Sequence, residues 1–385
     1  MFMLASFLMG LTTAGTLYVS AYLKEIGLSS AQVGLFTSLR SIIGIFAPLC
    51  WGIACDKLKT VKRPFIGCLL FTIILFPLIP ISEKWYQFSF ALAPWMTVFV
   101  RFFYRPLDTI MSTWIAQIRR DDPQMDYGKT RVFSSIGSTI ASAIYSSLIA
   151  IFSVRVGFYG VGILGFLVLL LVPKLPDVIP EDKKRTSFKD MHLDQIIRNP
   201  RLVLFYFLVI FSSIPFATST NFMAYLLDEI GTGNEILGMV STIRSLCQIP
   251  LMFYSEKVFK KFPYLPVLLV TSLILGSGEF IYGGVQSAGM ILLVSVVVNT
   301  SNGLRNAAQV LYADYLAPKE LKSTVVMLSS TMLAITTIIA SSMAGTMIDT
   351  VGIRAFYLVS GILSVSSVVI FAIATKYLDH KEAQK

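Results

Sequence analysis

Seven charged residues interrupt stretches that are otherwise apolar: Arg40, Arg101, Arg105, Arg244, Arg305, Asp108 and Glu279. A guanidinium presents its N–H donors as a planar fork that matches carboxylate or phosphate, and a carboxyl group shielded from water can load and release a proton. Asp108 lies three residues beyond Arg105, one helical turn, so this couple also reads as an internal ion pair. Glu279 has no cation at helical spacing and is the first candidate for proton coupling, with Asp108 second. Arg40 and Arg244 likewise lack an acid at that spacing, which leaves them to a solute or to distant partners. Asn302, Asn306 and Gln309 recur at four and three residues, on one helix face, and suit either hydroxyl recognition or interhelical hydrogen bonds. Asn221, Gln248, Arg305 and the Thr12, Thr13 and Thr16 group could complete a polar site.

Other chemistries are poorly served. The only histidines, His192 and His380, sit in polar segments, and Cys50, Cys55, Cys68 and Cys247 show no CxxC spacing. No metal site or cofactor is expected, and the cysteines read as packing residues. Gly160-Val-Gly162-Ile-Leu-Gly165 spells a dinucleotide fingerprint, but no strand precedes it, so its glycines read as helix-packing positions. With no HExxH, phosphate loop or Ser-His-Asp set placed for catalysis, an enzyme is not expected. A membrane-embedded sensor or lipid-modifying enzyme is the alternative of another class.

The elements that must hold these residues are twelve apolar stretches, at 3–22, 31–55, 64–80, 86–118, 130–153, 158–175, 201–226, 236–255, 264–284, 287–315, 322–345 and 353–378. Each approaches or exceeds what a helix needs to cross about 30 Å of hydrocarbon. With 55% hydrophobic and 14% charged residues the composition is that of an all-α membrane protein of twelve transmembrane helices. Four of the 32 Lys and Arg residues, Lys24, Lys84, Arg155 and Arg354, fall on one set of loops; apart from the five intramembrane arginines, all the others fall on the opposite set. Basic residues resist translocation, which predicts a multi-pass protein of the cell (inner) membrane with both termini cytoplasmic. The net charge of +10 then reports orientation, and nucleic acid is not an expected partner. No basic segment or small-residue cleavage site precedes the first stretch, which reads as a span and not a signal peptide.

The second half repeats the first. Residues 21–41, AYLKEIGLSSAQVGLFTSLRS, align with 224–245, AYLLDEIGTGNEILGMVSTIRS, through one inserted residue, which sets Gly34 on Gly238 and Arg40 on Arg244. The expected organisation is an N-terminal six-helix bundle at 1–175, a cytoplasmic linker at 176–200 with a surface helix near 186–198, a C-terminal bundle at 201–378 and a tail at 379–385. Ser134, Ser138, Ser142 and Ser146, and Thr337, Ser341 and Gly345, form every-fourth-residue stripes that favour close helix contact.

This pattern resembles the major facilitator superfamily. Gly52, Asp56 and Lys57, with Lys62 and Arg63, resemble its Gly-x-x-x-Asp-Arg/Lys signature, a conformational switch by that resemblance; Lys59 stands where the family has a glycine. Tyr127-Gly-Lys-Thr-Arg-Val-Phe133 with Gly137, Ala344-Gly-Thr-Met-Ile-Asp-Thr-Val-Gly352 and Pro318-Lys-Glu-Leu-Lys-Ser-Thr324 are similar to segments of the lactose permease group of oligosaccharide symporters. The resemblance gives Arg131 the place of a sugar-binding arginine. Thr113, Ser138, Ser301 and Leu304 replace that group's sugar-binding Glu, stacking Trp, and proton-handling His and Glu. Galactoside recognition and its coupling chemistry are therefore not carried over. The expectation is a monomeric secondary transporter of a small polar solute, a sugar, oligosaccharide or nucleoside, coupled to protons or to sodium. An anionic solute, or export, is the alternative.

Overall fold

The computed structural model describes residues 1–84, 86–87, 90–121, 127–177, 196, 198–318 and 322–383. Backbone groups in hydrocarbon must be satisfied within their own segment, and the chain accordingly folds almost wholly as helix. The first half supplies α1 (Phe2–Gly15), α2 (Val19–Glu25), α3 (Ser30–Leu58), α4 (Lys62–Ile81), α5 (Leu92–Asp121), α6 (Tyr127–Ile151) and α7 (Val156–Leu171). The second supplies α8 (Pro200–Ser212), α9 (Ile214–Asn221), α10 (Met223–Glu229), α11 (Asn234–Phe259), α12 (Tyr264–Gly284), α13 (Ala288–Leu316), α14 (Lys322–Val351) and α15 (Ile353–Ala383). Among the described residues, nine helical spans are long and apolar enough to cross a bilayer by length and composition. The long helices outside that set are α5, α6 and α11; α5 and α11 carry Arg101, Arg105, Asp108 and Arg244.

Two expected spans are not continuous. The stretch 3–22 breaks into α1, a 3₁₀ turn over Thr16–Tyr18 and α2, and the stretch 201–226 breaks at Ser213 and again at Phe222. The hydroxyls of Thr12, Thr13 and Thr16 donate back to the carbonyls of Met9, Met9 and Thr13, a competition that bends helices. At the Ser213 break Pro215 cannot donate to the preceding turn. The stretch 86–118 becomes helical only from Leu92, because Tyr86–Gln87 pairs antiparallel with Phe90–Ala91. The proposed surface helix at 186–198 lies almost entirely outside the described residues.

The chain divides into two compact units, Met1–Asp182 with Gly231–Thr242, and Lys183–Ile230 with Ile243–Lys385. In the first, α1 and α6 meet backbone to backbone: a Cβ on Gly10 would strike the carbonyl of Ser134, and one on Gly137 that of Phe7. The serine stripe thus serves helix contact. The fingerprint glycines do the same, Gly162 seating against Pro77 and Gly165 against Ile73. At one end of the unit Lys62 Nζ donates to the carbonyls of Pro173 (2.9 Å) and Leu175 (2.8 Å), while Thr60 Oγ1 donates to Asp177 (2.7 Å). At the other end Arg155 reaches Glu83 through two hydrogen bonds, at 2.8 and 3.0 Å, and also pairs with Glu25. The second unit repeats that clamp. Arg354 pairs with Glu229 and donates to the Gly283 carbonyl at 3.1 Å. Its inner core gathers Leu202, Phe205, Tyr312, Val325, Val368 and Phe371.

Candidate functional site

In the first unit the polar face of α5 meets the threonines of the broken first span. Arg101, Arg105 and Asp108 follow one another at four and three residues, on one face of the helix. With Tyr104, Thr13, Thr16, Met9 and Leu17 they line a hollow of about 200 Å³. Arg105 and Asp108 form the expected pair at 3.7 Å, with 44% and 67% of their side chains exposed. Arg40 on α3 joins Arg101, Thr97 and Tyr104 in an adjoining crevice of about 10 Å³, too small to admit a ligand group. The Nε atoms of Arg40 and Arg101 are buried without a hydrogen-bond acceptor. Two larger hollows, about 750 and 550 Å³, open on the second unit. Their linings are mostly aliphatic and aromatic, with Arg198 and Arg201 the only charged members, so they offer little to orient a polar solute.

The second unit treats its charges differently. Arg305 is 1% exposed, and its guanidinium donates to Asn302 Oδ1 (3.3 and 3.2 Å), Ser213 Oγ (3.1 Å), Gln309 Oε1 (3.3 Å) and Asn306 Oδ1 (3.3 Å). The spacing leaves the amide face of α13 to a solute's hydroxyls or to hydrogen bonds within the protein. Its carbonyl oxygens converge on this cation and pin it to Ser213, the residue at which α8 gives way to α9. Arg244 Nη2 donates to the Ser219 carbonyl of α9 at 3.0 Å and its guanidinium lies 5.6 Å from the Phe216 ring centre. Asn221 donates back to the Ala217 carbonyl at 2.9 Å. Gln248 is half-buried, and its backbone packs against Gly303.

Glu279 of α12 is fully buried, and neither carboxylate oxygen has a partner at hydrogen-bond distance. Gly361 of α15 sits against its Cβ at 3.3 Å from where a glycine side chain would begin. Ser360 is a polar neighbour on α15, and its hydroxyl shares a 3.3 Å hydrogen bond with Thr218 of α9. Close by, Tyr282 and Ser295 share a bond of 2.8 Å, and Tyr357 reaches Met223 of α10. The carboxyl group thus stands one residue away from the short, broken segment that Arg244 and Arg305 also grip. Ser213, Ser360 and Thr218 were not singled out from the sequence, because no local spacing links them to Glu279 or Arg305.

Of the switch residues, Asp56, Lys57 and Arg63 are exposed and Gly52 has open space around it. Lys59 adopts the left-handed conformation, φ 50° and ψ 36°, and ends α3 as a family glycine would. The side chain of Arg131 lies outside the described residues, although its backbone is in α6.

Known proteins share this architecture and part of this sequence. An uncharacterized transporter of Bacillus subtilis (strain 168), YwbF, is 24% identical over 362 residues, covering 90% of this chain and 86% of its own. The maltose permease of Geobacillus stearothermophilus is 24% identical over 313 residues, 81% of this chain and 77% of its own. Among solved structures, the nucleoside transporter NupG superposes with a TM-score of 0.81 at 16% identity, over 98% of each chain. A D-xylose-proton symporter gives 0.72 at 14% identity, over 96% of this chain and 95% of that one. These superpositions establish the all-helical fold of major facilitator transporters. The family description "MFS_1 like family" matches residues 6–359, and the chain belongs to that family of membrane transporters.

Proposed function

We propose that this transporter moves a small hydroxylated solute, a sugar, oligosaccharide or nucleoside, together with protons. The halves 1–175 and 201–378, joined by 176–200, alternate access to it, and both termini face the cytoplasm of the cell membrane. The names of its relatives support the solute class: one is a maltose permease, and structures of like fold are a nucleoside transporter and a xylose–proton symporter. The distribution of Lys and Arg supports the orientation. Asp56, Lys57, Lys62 and Arg63 act as the conformational switch at the cytoplasmic face in this reading.

The observation that carries the coupling is Glu279, an acid fully buried in a membrane helix with, among the described residues, no ion-pair partner and only the Ser360 hydroxyl as a neighbouring donor. Intramembrane acids of this kind mark proton paths in pumps and transporters. Loading and releasing a proton there changes what α12 can ask of Ser360. That hydroxyl is bonded to Thr218, so the change reaches α9, which Arg244 on Ser219 and Arg305 on Ser213 also contact. A short helix bounded by a break at each end is an element that such a change can move.

The test is uptake of labelled maltose, xylose and uridine by the purified protein in liposomes, with and without an imposed pH gradient. Accumulation driven by the pH gradient is expected for the wild type. Glu279→Gln should lose it while still exchanging labelled solute across vesicles without a gradient. Full accumulation by the Gln variant, or accumulation that follows sodium and ignores pH, would overturn proton coupling through Glu279.

A further inference from the structure

The geometry points to a solute that carries an acid group, a phosphate or carboxylate, held in the first unit against Arg101 in the hollow this residue lines with Arg105, with Arg40 adding its charge from behind and the solute's hydroxyls met by Thr13, Thr16 and Tyr104. This rests on the reading of the chain as a carrier of small hydroxylated solutes and narrows it.

Three guanidinium groups, those of Arg40, Arg101 and Arg105, come together there, and among the described residues a single carboxylate, Asp108, faces them. Asp108 is already engaged with Arg105 at 3.7 Å. The other acids described in this unit are occupied or remote. Among the described side chains, Glu25 and Glu83 hold Arg155, Asp177 holds Thr60 and the Lys62 backbone, and Asp56 lies at the far end of α3. Arg40 and Arg101 therefore form a cationic excess, and the buried Nε of each lacks an acceptor. An uncompensated cation in a membrane interior is costly, and an anionic oxygen group against Arg101 supplies both the missing charge and the missing acceptor. A neutral hydroxyl supplies only the acceptor.

The backbone makes room for this convergence. Gly44 lies one helical turn beyond Arg40 on α3, and a Cβ there would stand 3.7 Å from Arg101 Nε and 3.9 Å from Arg105 Cγ. The arginines of α5 thus lie across α3 at its glycine, beside Arg40. The hollow of about 200 Å³ is smaller than the roughly 300–1,000 Å³ of a complete small-molecule site, so it takes one end of the solute. Its hydroxyl lining suits the carbons next to an acid group in a sugar.

The test compares matched neutral and acidic ligands for direct binding to the full-length protein purified in detergent: glucose against glucuronate and glucose 6-phosphate, and uridine against uridine monophosphate. At least one acid-bearing member is expected to bind about tenfold or more tightly than its neutral partner, with inorganic phosphate or acetate competing. Preference for glucuronate assigns a carboxylate, and preference for the phosphorylated members assigns a phosphate. Arg101→Lys keeps the charge but loses the fork, so it should weaken acid binding about tenfold and neutral binding by clearly less. Equal binding of acid and neutral members by the wild type, or no binding of any acid-bearing member, overturns the assignment without reference to any variant. Acid selectivity that survives without pH-driven accumulation would strike the coupling reading alone, whereas equal binding would strike only this one.

Discussion

The two halves of this chain share a plan and bury opposite problems. Each closes one end with a glutamate–arginine clamp, Glu25 and Glu83 on Arg155 in the first unit and Glu229 on Arg354 in the second. Each interrupts its first span. Yet the first unit gathers arginines beside a hollow with one carboxylate to share, while the second wraps Arg305 in neutral amides and leaves Glu279 without a partner. The two units share a scaffold feature, the clamp, while their interior polar residues differ. Charge left unsatisfied in one half is of the kind a solute can meet; in the other it is of the kind a proton can meet.

The largest effect that could break this contrast is on stability. Arg305→Leu leaves Asn302, Ser213 and Gln309 without their buried donor, at about 1–3 kcal/mol per unsatisfied group, so it should strongly lower the thermal unfolding temperature in detergent. Arg101→Leu removes a cation that has no hydrogen bond to lose, and should cost under about 1 kcal/mol or stabilise the protein. Similar losses in both variants would show that the two arginines are not held differently. A smaller effect separates the clamps. Arg155→Ala breaks contacts with two carboxylates and should cost about 1 kcal/mol, and Arg354→Ala, with one carboxylate and a carbonyl, should cost less. The reverse order in paired denaturation curves would mean that the second clamp dominates. The smallest effect is a gain. Lys59→Gly removes the penalty of a left-handed lysine and should raise stability by about 0.5–1 kcal/mol, with transport unchanged; a loss would mean that the Lys59 side chain itself is needed.

Hydropathy and charge placement made the helical plan legible, because a bilayer imposes segment length and loop sign directly on the sequence. The repeat around Ala-Tyr-Leu was legible as well, and it located Glu25 and Glu229. Their partners were not, since Arg155 and Arg354 lie more than a hundred residues away and appeared only as loop cations. The breaks in the first and seventh spans were hidden for another reason: Thr13, Thr16 and Pro215 announce them locally, but an apolar stretch averages over a missing turn. Spacing put Asn302, Asn306 and Gln309 on a common face, yet spacing alone does not say whether a face looks to a neighbouring helix or to a solute. Arg305 occupies that face from the same helix, and the contact that decided the matter, Ser213, comes from another. Arg101 was counted among the intramembrane cations and assigned no role, because its neighbours Arg40 and Thr16 belong to separate helices.

The seam between α1 and α6 bears on insulation. Where Gly10 meets the Ser134 carbonyl and Gly137 meets that of Phe7, the helices touch through their main chains, and no side chain stands between them to change rotamer. A carrier driven by an ion gradient dissipates its own driving force through any gap that admits a file of water. Main-chain contact closes such a gap without depending on the thermal motion of side chains, so the seam can stay tight to small ions through every fluctuation that leaves the helix axes in place. Bulk at Gly10 or Gly137 would then register first as a leak, before it registered as a failure to carry.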